Sequence, residues 1–245
     1  MRIAHVAPEC DPLMKAGGLA DVVASLPRAL RRHGHEVEVY IPNYGAIESH
    51  HLRGAESAGT VELNVPSLPK RAEILRVVSR DVPVHLVSCT ELFEKEPLPY
   101  GHYSDDVKRW AFFSLAVLEA MKRPGKTPDV IHLHDWPTGL FPVYRALRYK
   151  DTPLGNVGIL FTVHNLSFAG KFHKDWIPQL GLPAWLFDRE QLEFHGECSL
   201  VKAGLLWSTM IGTVSPNYAR EIQGRRSAAA STASCAGAPT IWSAC

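Results

Sequence analysis

The sequence predicts an α/β fold, a largely parallel sheet flanked by helices. Short apolar runs recur along the chain with helical-period segments between them. The first run leads into a glycine turn that opens an amphipathic helix, and two later runs stop abruptly in polar residues. Continuous apolar strands alternating with helices are what a sheet covered on both faces requires.

The elements follow in order. Ile3-Ala4-His5-Val6-Ala7 reads as a buried parallel strand. Leu19, Val22, Val23, Leu26 and Leu30 then fall at helical spacing, with Pro27 expected to restart the helix behind a Ser25 cap and Gly34 to end it. Glu36 to Ile41 alternates into a strand that stops at Pro42-Asn43, completing a β-α-β unit. Residues 44–60 show no period and read as a loop. Val61 to Val65 and Ile74 to Val78 read as a hairpin closed by a turn over 66–71, and Val82 to Val87 as another strand. Residues 90–104 are polar and broken by Pro97, Pro99 and Gly101, a loop carrying Tyr100 and Tyr103. Asp105 or Asp106 caps a helix whose apolar face runs from Val107 to Met121, ended by Pro124-Gly125. Strands follow at Asp129 to His134 and Gly158 to Val163, separated by a helix over 139–148. The stretch 168–197 holds Phe168, Phe172, Trp176, Trp185, Phe187 and Phe194, rings that either stack on sugars or pack beneath a long excursion. A buried helix over 200–207, a strand over 210–214 and a helix from Ser215-Pro216 to about Gln223 complete the pattern.

At 245 residues the chain can bury a full core, and 26 Lys and Arg against 25 acidic residues give a formal charge of +1. General attraction to nucleic acid or to an anionic membrane is not expected, so any anion recognition must be local. The five cysteines, Cys10, Cys89, Cys198, Cys235 and Cys245, lack C-x-x-C spacing and read as free thiols in a reducing compartment. No signal peptide and no membrane span are read, so a cytoplasmic protein is expected.

Chemistry gathers at strand ends. Gly17 and Gly18 lie where a helix begins, and the free N–H groups of that first turn, with Lys15 beside them, suit a phosphate or diphosphate. The alternative is that the glycines only permit a tight turn. No glycine precedes Gly17, so the G-x-G-x-x-G turn of a dinucleotide oxidoreductase is missing. His134-Asp135-Trp136 and His164-Asn165 end two further strands. Ligands of open α/β sheets bind beyond the carboxyl ends of strands, so Lys15 to Gly18, His134 to Trp136 and His164-Asn165 are expected to share one crevice. His164 beside an amide suits a hydroxyl-rich ligand. Asp135 either acts on that ligand or caps the next helix, and Trp136 either lines the site or joins the core. His132 and His134 face one way, but no carboxylate or thiol completes a metal set, and no metal is expected.

Lys15-Ala16-Gly17-Gly18-Leu19-Ala20-Asp21-Val22, His134-Asp135-Trp136, Phe161-Thr162-Val163-His164-Asn165-Leu166, Lys202-Ala203-Gly204 and Thr213-Val214-Ser215-Pro216 occur in this order. On these motifs residues 1–223 resemble bacterial glycogen synthases and plant starch synthases, glycosyltransferases that extend α-1,4-glucan from ADP-glucose. The resemblance implies the Rossmann-like amino-terminal domain of a two-domain GT-B glycosyltransferase. It further implies a reaction without metal or cofactor that retains anomeric configuration. By the same resemblance Lys15, Gly17, Gly18 and Asp21 meet the donor, and His164 holds the transferred glucose. Asp135, Trp136, Asn165 and Tyr100 line the sugar and acceptor side.

Residues 224–245 depart from the family. They are rich in Ala, Ser, Thr and Cys, hold no acidic residue, and are expected to be a disordered, divergent tail. The composition break at Gly224 suggests a shifted reading frame, which sequencing around codon 224 tests. The family's carboxy-terminal nucleotide-binding domain is expected to be absent, leaving the chain inactive or feeble alone. A non-catalytic glucan-binding module is the alternative function.

Overall fold

The structure, a computed structural model, describes residues 1–95, 98–101 and 106–223 and the backbone of 242–244. Strands β1 (Arg2–Val6), β2 (Glu36–Pro42), β5 (Val82–Ser88), β6 (Val130–His134), β7 (Gly158–Val163), β11 (Met210–Thr213) and β12 (Trp242–Ala244) are all parallel. β3 (Glu56–Glu62) and β4 (Arg71–Ser79) add an antiparallel pair at the β5 edge. The order across the sheet is β12-β11-β7-β6-β1-β2-β5-β4-β3. The chain leaves β1 towards β2 and returns to β1's other side as β6. The carboxyl ends of β1 and β6 therefore flank the point where strand order reverses, the crevice position of open α/β sheets.

Helix α1 (Gly18–Arg32) packs on β2, while α2 (Asp106–Met121), α3 (Leu140–Arg148) and α5 (Leu200–Trp207) pack side by side. α2 is buried nearly all round, with Trp110, Phe112 and Phe113 inaccessible. The short α4 (Trp176–Gln179) and α6 (Pro216–Ile222) complete the described helices, and β8 (Lys171–Phe172), β9 (Glu193–Phe194) and β10 (Glu197–Ser199) form a small separate sheet.

Five expectations are corrected. α1 does not restart at Pro27 but runs through it. The missing N–H removes one helical bond at a cost of about 3 kcal/mol. Leu19, Ala20, Val23, Ala24 and Pro27 bury a continuous face that outweighs this loss. Ser25, expected as a cap, instead donates its hydroxyl to the Asp21 carbonyl at 2.6 Å. The hairpin exists, but its first strand is Glu56–Glu62, mostly upstream of the apolar run. It is an edge strand with little burial, so apolar alternation does not mark it. Residues 44–60 are accordingly not all loop: they hold a 3-10 turn, Ser49–Leu52, and most of β3. The stretch after residue 90 also begins with structure, a π-helical turn over Thr90–Glu94 that buries Leu92 and Phe93. Tyr103 and Asp105 lie outside the described residues, as does the tail apart from β12. Cys10, Cys89 and Cys198 are free thiols, and burial pushes Cys10 up to about 12. No helix among the described residues is long and apolar enough to cross a membrane.

Candidate active site

Three neighbouring strands build the site. Across β1, β6 and β7, His5 stands opposite His132 and His134 opposite Thr162. Paired residues of a parallel ladder share a face, as do residues two apart, so three imidazoles and a hydroxyl collect there. His5 Nδ1 lies 3.0 Å from His134 Nε2, and His134 Nδ1 lies 3.0 Å from His164 Nε2. A hydrogen-bonded row thus runs from beneath the sheet surface to the half-buried His164 beyond β7. His132 lies beside it, its ring stacked 4.1 Å from His134 and its Nε2 2.7 Å from Thr162 Oγ1. Burial disfavours the imidazolium form. It lowers His5 to about 3 and His164 to about 4, and holds His132 and His134 well below the ordinary value. All four are neutral at pH 7.

Nitrogens of His5, His132 and His134 fall within 4.8 Å of one another, close enough for a shared cation. Both nitrogens of His134 are nevertheless committed to His5 and His164, and His132 Nε2 to Thr162. A metal would have to break that network.

Asp135 follows β6 directly and is buried, with φ 60 and ψ 177. That backbone region is almost confined to glycine and stores about 1–3 kcal/mol of strain. The strain is held by bonds on both sides. The Asp135 N–H donates to Thr162 O at 3.0 Å, and Asp135 Oδ1 accepts from the His164 N–H at 2.8 Å and the Asn165 N–H at 3.3 Å. Burial pushes Asp135 up to about 6, the two backbone donors pull against it, and the negative charge of Glu9 adds to the rise.

The loop after β1 brings its own carboxylate. Glu9 is 1% exposed; its Oε2 accepts from the Ala16 N–H and, at 3.0 Å, from the Gly17 N–H. Its Oε1 accepts from the Tyr100 hydroxyl at 3.4 Å. The Tyr100 ring lies 6.1 Å from that of Trp136, whose other neighbour, Trp110, meets it edge-on at 5.7 Å. Lys15 is exposed and bonded to Asp21 at 2.6 Å. Gly17 has φ −156, ordinary extended backbone, and neither Gly17 nor Gly18 has positive φ. A Cβ at Gly18 would meet nothing within 4 Å, and one at Gly17 only Glu9 Oε1 at 3.8 Å.

Residues 2–232 match the family profile described as starch synthase catalytic domain. The chain belongs to that family. Among its relatives, glycogen synthase 2 of Geobacter sulfurreducens is 39% identical over 226 residues, and glycogen synthase of Anaeromyxobacter sp. is 40% identical over 229. Each alignment covers 91% of this chain and 47% and 46% of the relative, so the chain spans about half the length of the curated relatives it matches. The catalytic domain of starch synthase IV from Arabidopsis thaliana, solved with ADP and acarbose, superposes with a TM-score of 0.84 at 31% identity, over 91% of this chain and 47% of that one. Sucrose-phosphate synthase of Thermosynechococcus elongatus, at 16% identity and a TM-score of 0.51, shares the fold alone.

Within this starch synthase domain, the residues named from sequence fall into two groups. His164, Asp135 and Asn165 join at the ends of β6 and β7, with Trp136 and Tyr100 beside them. Asn165 Oδ1 accepts from the Ser167 N–H at 3.0 Å in its own turn. Lys15, Gly17, Gly18 and Asp21 lie at the β1 loop and the start of α1, where Lys15 and Asp21 hold each other. Glu9 joins the groups, through Tyr100 on one oxygen and the glycine turn on the other. Sequence reading passed over Glu9 and His5. His5 sat unremarked inside an apolar strand, although a histidine amid Ile, Ala and Val needs a buried partner. Arg109 was missed too: it is 1% exposed inside α2 and donates to Leu92 O at 2.9 Å and Leu98 O at 2.8 Å, tying down the chain before Tyr100.

Proposed function

We propose that this chain supplies the acceptor side and the sugar-holding face of an ADP-glucose-dependent glycogen or starch synthase. In that reaction glucose passes from ADP to the non-reducing end of an α-1,4-glucan with its configuration retained. The observation that carries this reading is Gly18 at the start of α1, since the Gly17 N–H is already held by Glu9 Oε2. Neither its backbone angles nor its neighbours require glycine at 18, so an approaching ligand is the remaining reason for the missing side chain. The free N–H groups of the first turn of α1 and a Lys15 that exchanges Asp21 for the ligand favour a diphosphate there. His164 then reaches a sugar hydroxyl, and Tyr100, Trp136 and Asn165 line the acceptor path. Asp135 fixes the His164 backbone and keeps its second oxygen for the sugar. No metal or cofactor is assigned a role. Rate enhancement comes from placing donor and acceptor and from stabilising charge on the departing phosphate. The free thiols fit a reducing cytoplasm.

Separate calorimetric titrations with maltoheptaose and ADP-glucose test this. Maltoheptaose is expected to bind, and His164→Ala to weaken ADP-glucose binding about tenfold, the worth of one good hydrogen bond to the transferred glucose. Transfer from ADP-glucose to glycogen by the 245-residue chain alone is expected to be absent or feeble, since the family's nucleotide clamp belongs to its other domain. Glucan binding indifferent to nucleotide, with no binding of ADP-glucose, would point instead to a binding module using the exposed rings of Phe168 and Trp185.

A further inference from the structure

The row His5–His134–His164 does more than fill space. In each of its two links the distance between ring centres is 5.3 Å and between nitrogens 3.0 Å. The difference is what two imidazole radii supply, so both nitrogens lie on the line joining the rings. That is the geometry of one shared proton, not of two lone pairs turned towards a common cation. A neutral imidazole carries one N–H and one bare nitrogen. Because His134 uses both of its nitrogens in the row, the row has only two arrangements, and they switch all together. Either every ring donates towards His164, or every ring donates towards His5.

The two ends decide between them. His5 Nε2 is buried and without a partner. If the row donates towards His5, that atom is a buried, unsatisfied N–H. If it donates towards His164, the atom is a bare lone pair. Orphaned buried N–H groups are rarer than under-used acceptors. At the other end, His164 Nδ1 makes no hydrogen bond among the described residues, and His164 is the row's only half-buried ring. Burial holds all three rings neutral, which removes the doubly protonated state that would break the coupling.

We propose that His5 and His134 are positioning residues that fix His164 as its Nδ1–H tautomer, so that His164 presents a donor, and never a bare nitrogen, to the ligand. The tautomer follows from this chain's own geometry; only the identity of the ligand oxygen, a sugar hydroxyl, rests on the glucan synthase reading. A ring locked as a donor selects an oxygen acceptor and cannot serve as a general base. His164 therefore takes no proton from the acceptor hydroxyl.

Nitrogen-15 NMR of the intact chain with ring-labelled histidine at neutral pH tests the proposal directly, with each ring assigned from a single substitution. The expected spectrum shows His164, His134 and His5 each protonated at Nδ1 and bare at Nε2. An Nε2–H His164, or an even mixture, would overturn it. His5→Asn places an amide N–H where Nδ1 stood and is expected to leave His164 unchanged. His5→Leu removes the donor and is expected to move His164 towards a mixture; an unchanged His164 in a folded His5→Leu protein would also overturn the coupling. Should His5→Leu not fold, the parent spectrum and His5→Asn still decide. ADP-glucose separates this from the functional reading. A shift of the His164 Nδ1–H on titration supports both, whereas an Nδ1–H that ignores ADP-glucose leaves the row standing and counts against the synthase site.

Discussion

Single residues at this site carry features that the fold itself does not reward. Gly18 opens α1 with ordinary φ and an empty space where a Cβ would stand. Gly18→Ala should therefore leave the thermal midpoint unchanged or raise stability by up to about 1 kcal/mol, the usual propensity gain. Binding of ADP-glucose or pyrophosphate should weaken, because the new methyl projects where the ligand approaches. A variant that loses stability, or keeps full anion affinity, would remove the functional reason for that glycine. Asp135 makes the same point electrostatically. Its folded value of about 6 lies above that of an unfolded aspartate. Its charged form therefore costs the fold at pH 8, and its contribution to stability is recovered only as the pH falls through 6 towards 4. Asp135→Asn keeps the oxygen that accepts from His164 and Asn165 and removes the charge. It should gain about 1–3 kcal/mol in urea denaturation at pH 8, with the gain shrinking below pH 6. A loss at pH 8 would show that the carboxylate's bonds outweigh its desolvation.

Elements reach one another closely only where a side chain is missing, and there packing overrides propensity. Gly204 lies inside α5, where alanine is ordinarily favoured by about 1 kcal/mol. A Cβ there would sit 2.4 Å from the Phe161 ring on β7. Gly204→Ala should cost about 1–3 kcal/mol, and Phe161→Leu in the same chain should relieve at least part of it, a coupling that a double-mutant cycle measures. Gly139 faces harder matter: its Cβ would meet the Leu200 backbone oxygen at 1.9 Å. No side chain can yield, so Gly139→Ala should cost more than Gly204→Ala by the same measurement. Contacts of this kind explain what sequence could and could not disclose about the elements. The parallel strands from β1 to β11 and α1, α2 and α5 were legible because each buries an apolar period, whereas β12 lies in a stretch read as a disordered tail. β3 was displaced because an exposed edge strand has none, and Pro27 misled because tertiary burial held α1 through one lost bond.

At the scale of the whole sheet, its chemistry was legible where it touched a strand end and hidden where it lay inside one. His164 and Asp135 stand at polar breaks and were found; His5 and Glu9 act through partners 129 and 7 or 8 residues away and were not. Those hidden partners set a property of the entire molecule. Four histidines, His5, His132, His134 and His164, are held neutral between β1, β6 and β7. On unfolding each regains an ordinary value near 6.5. Depressed folded values mean that their stabilising contribution is complete above about pH 6.5 and is lost as the pH falls towards 4. Asp135 works the other way, since it takes up its proton near pH 6 in the folded chain. It can offset only one of the four. Each uncompensated proton steepens the fall by about 1.4 kcal/mol per pH unit, against a total stability of about 5–15 kcal/mol. Urea midpoints measured from pH 8 to 4.5 should stay nearly level to pH 7 and then drop steeply, with acid unfolding near pH 5. His5→Asn, which removes one buried imidazole while keeping its donor, should make that drop shallower. A stability that held or rose between pH 6.5 and 5 would mean that the histidine layer opens to water and is not the sealed, neutral row that joins these strands.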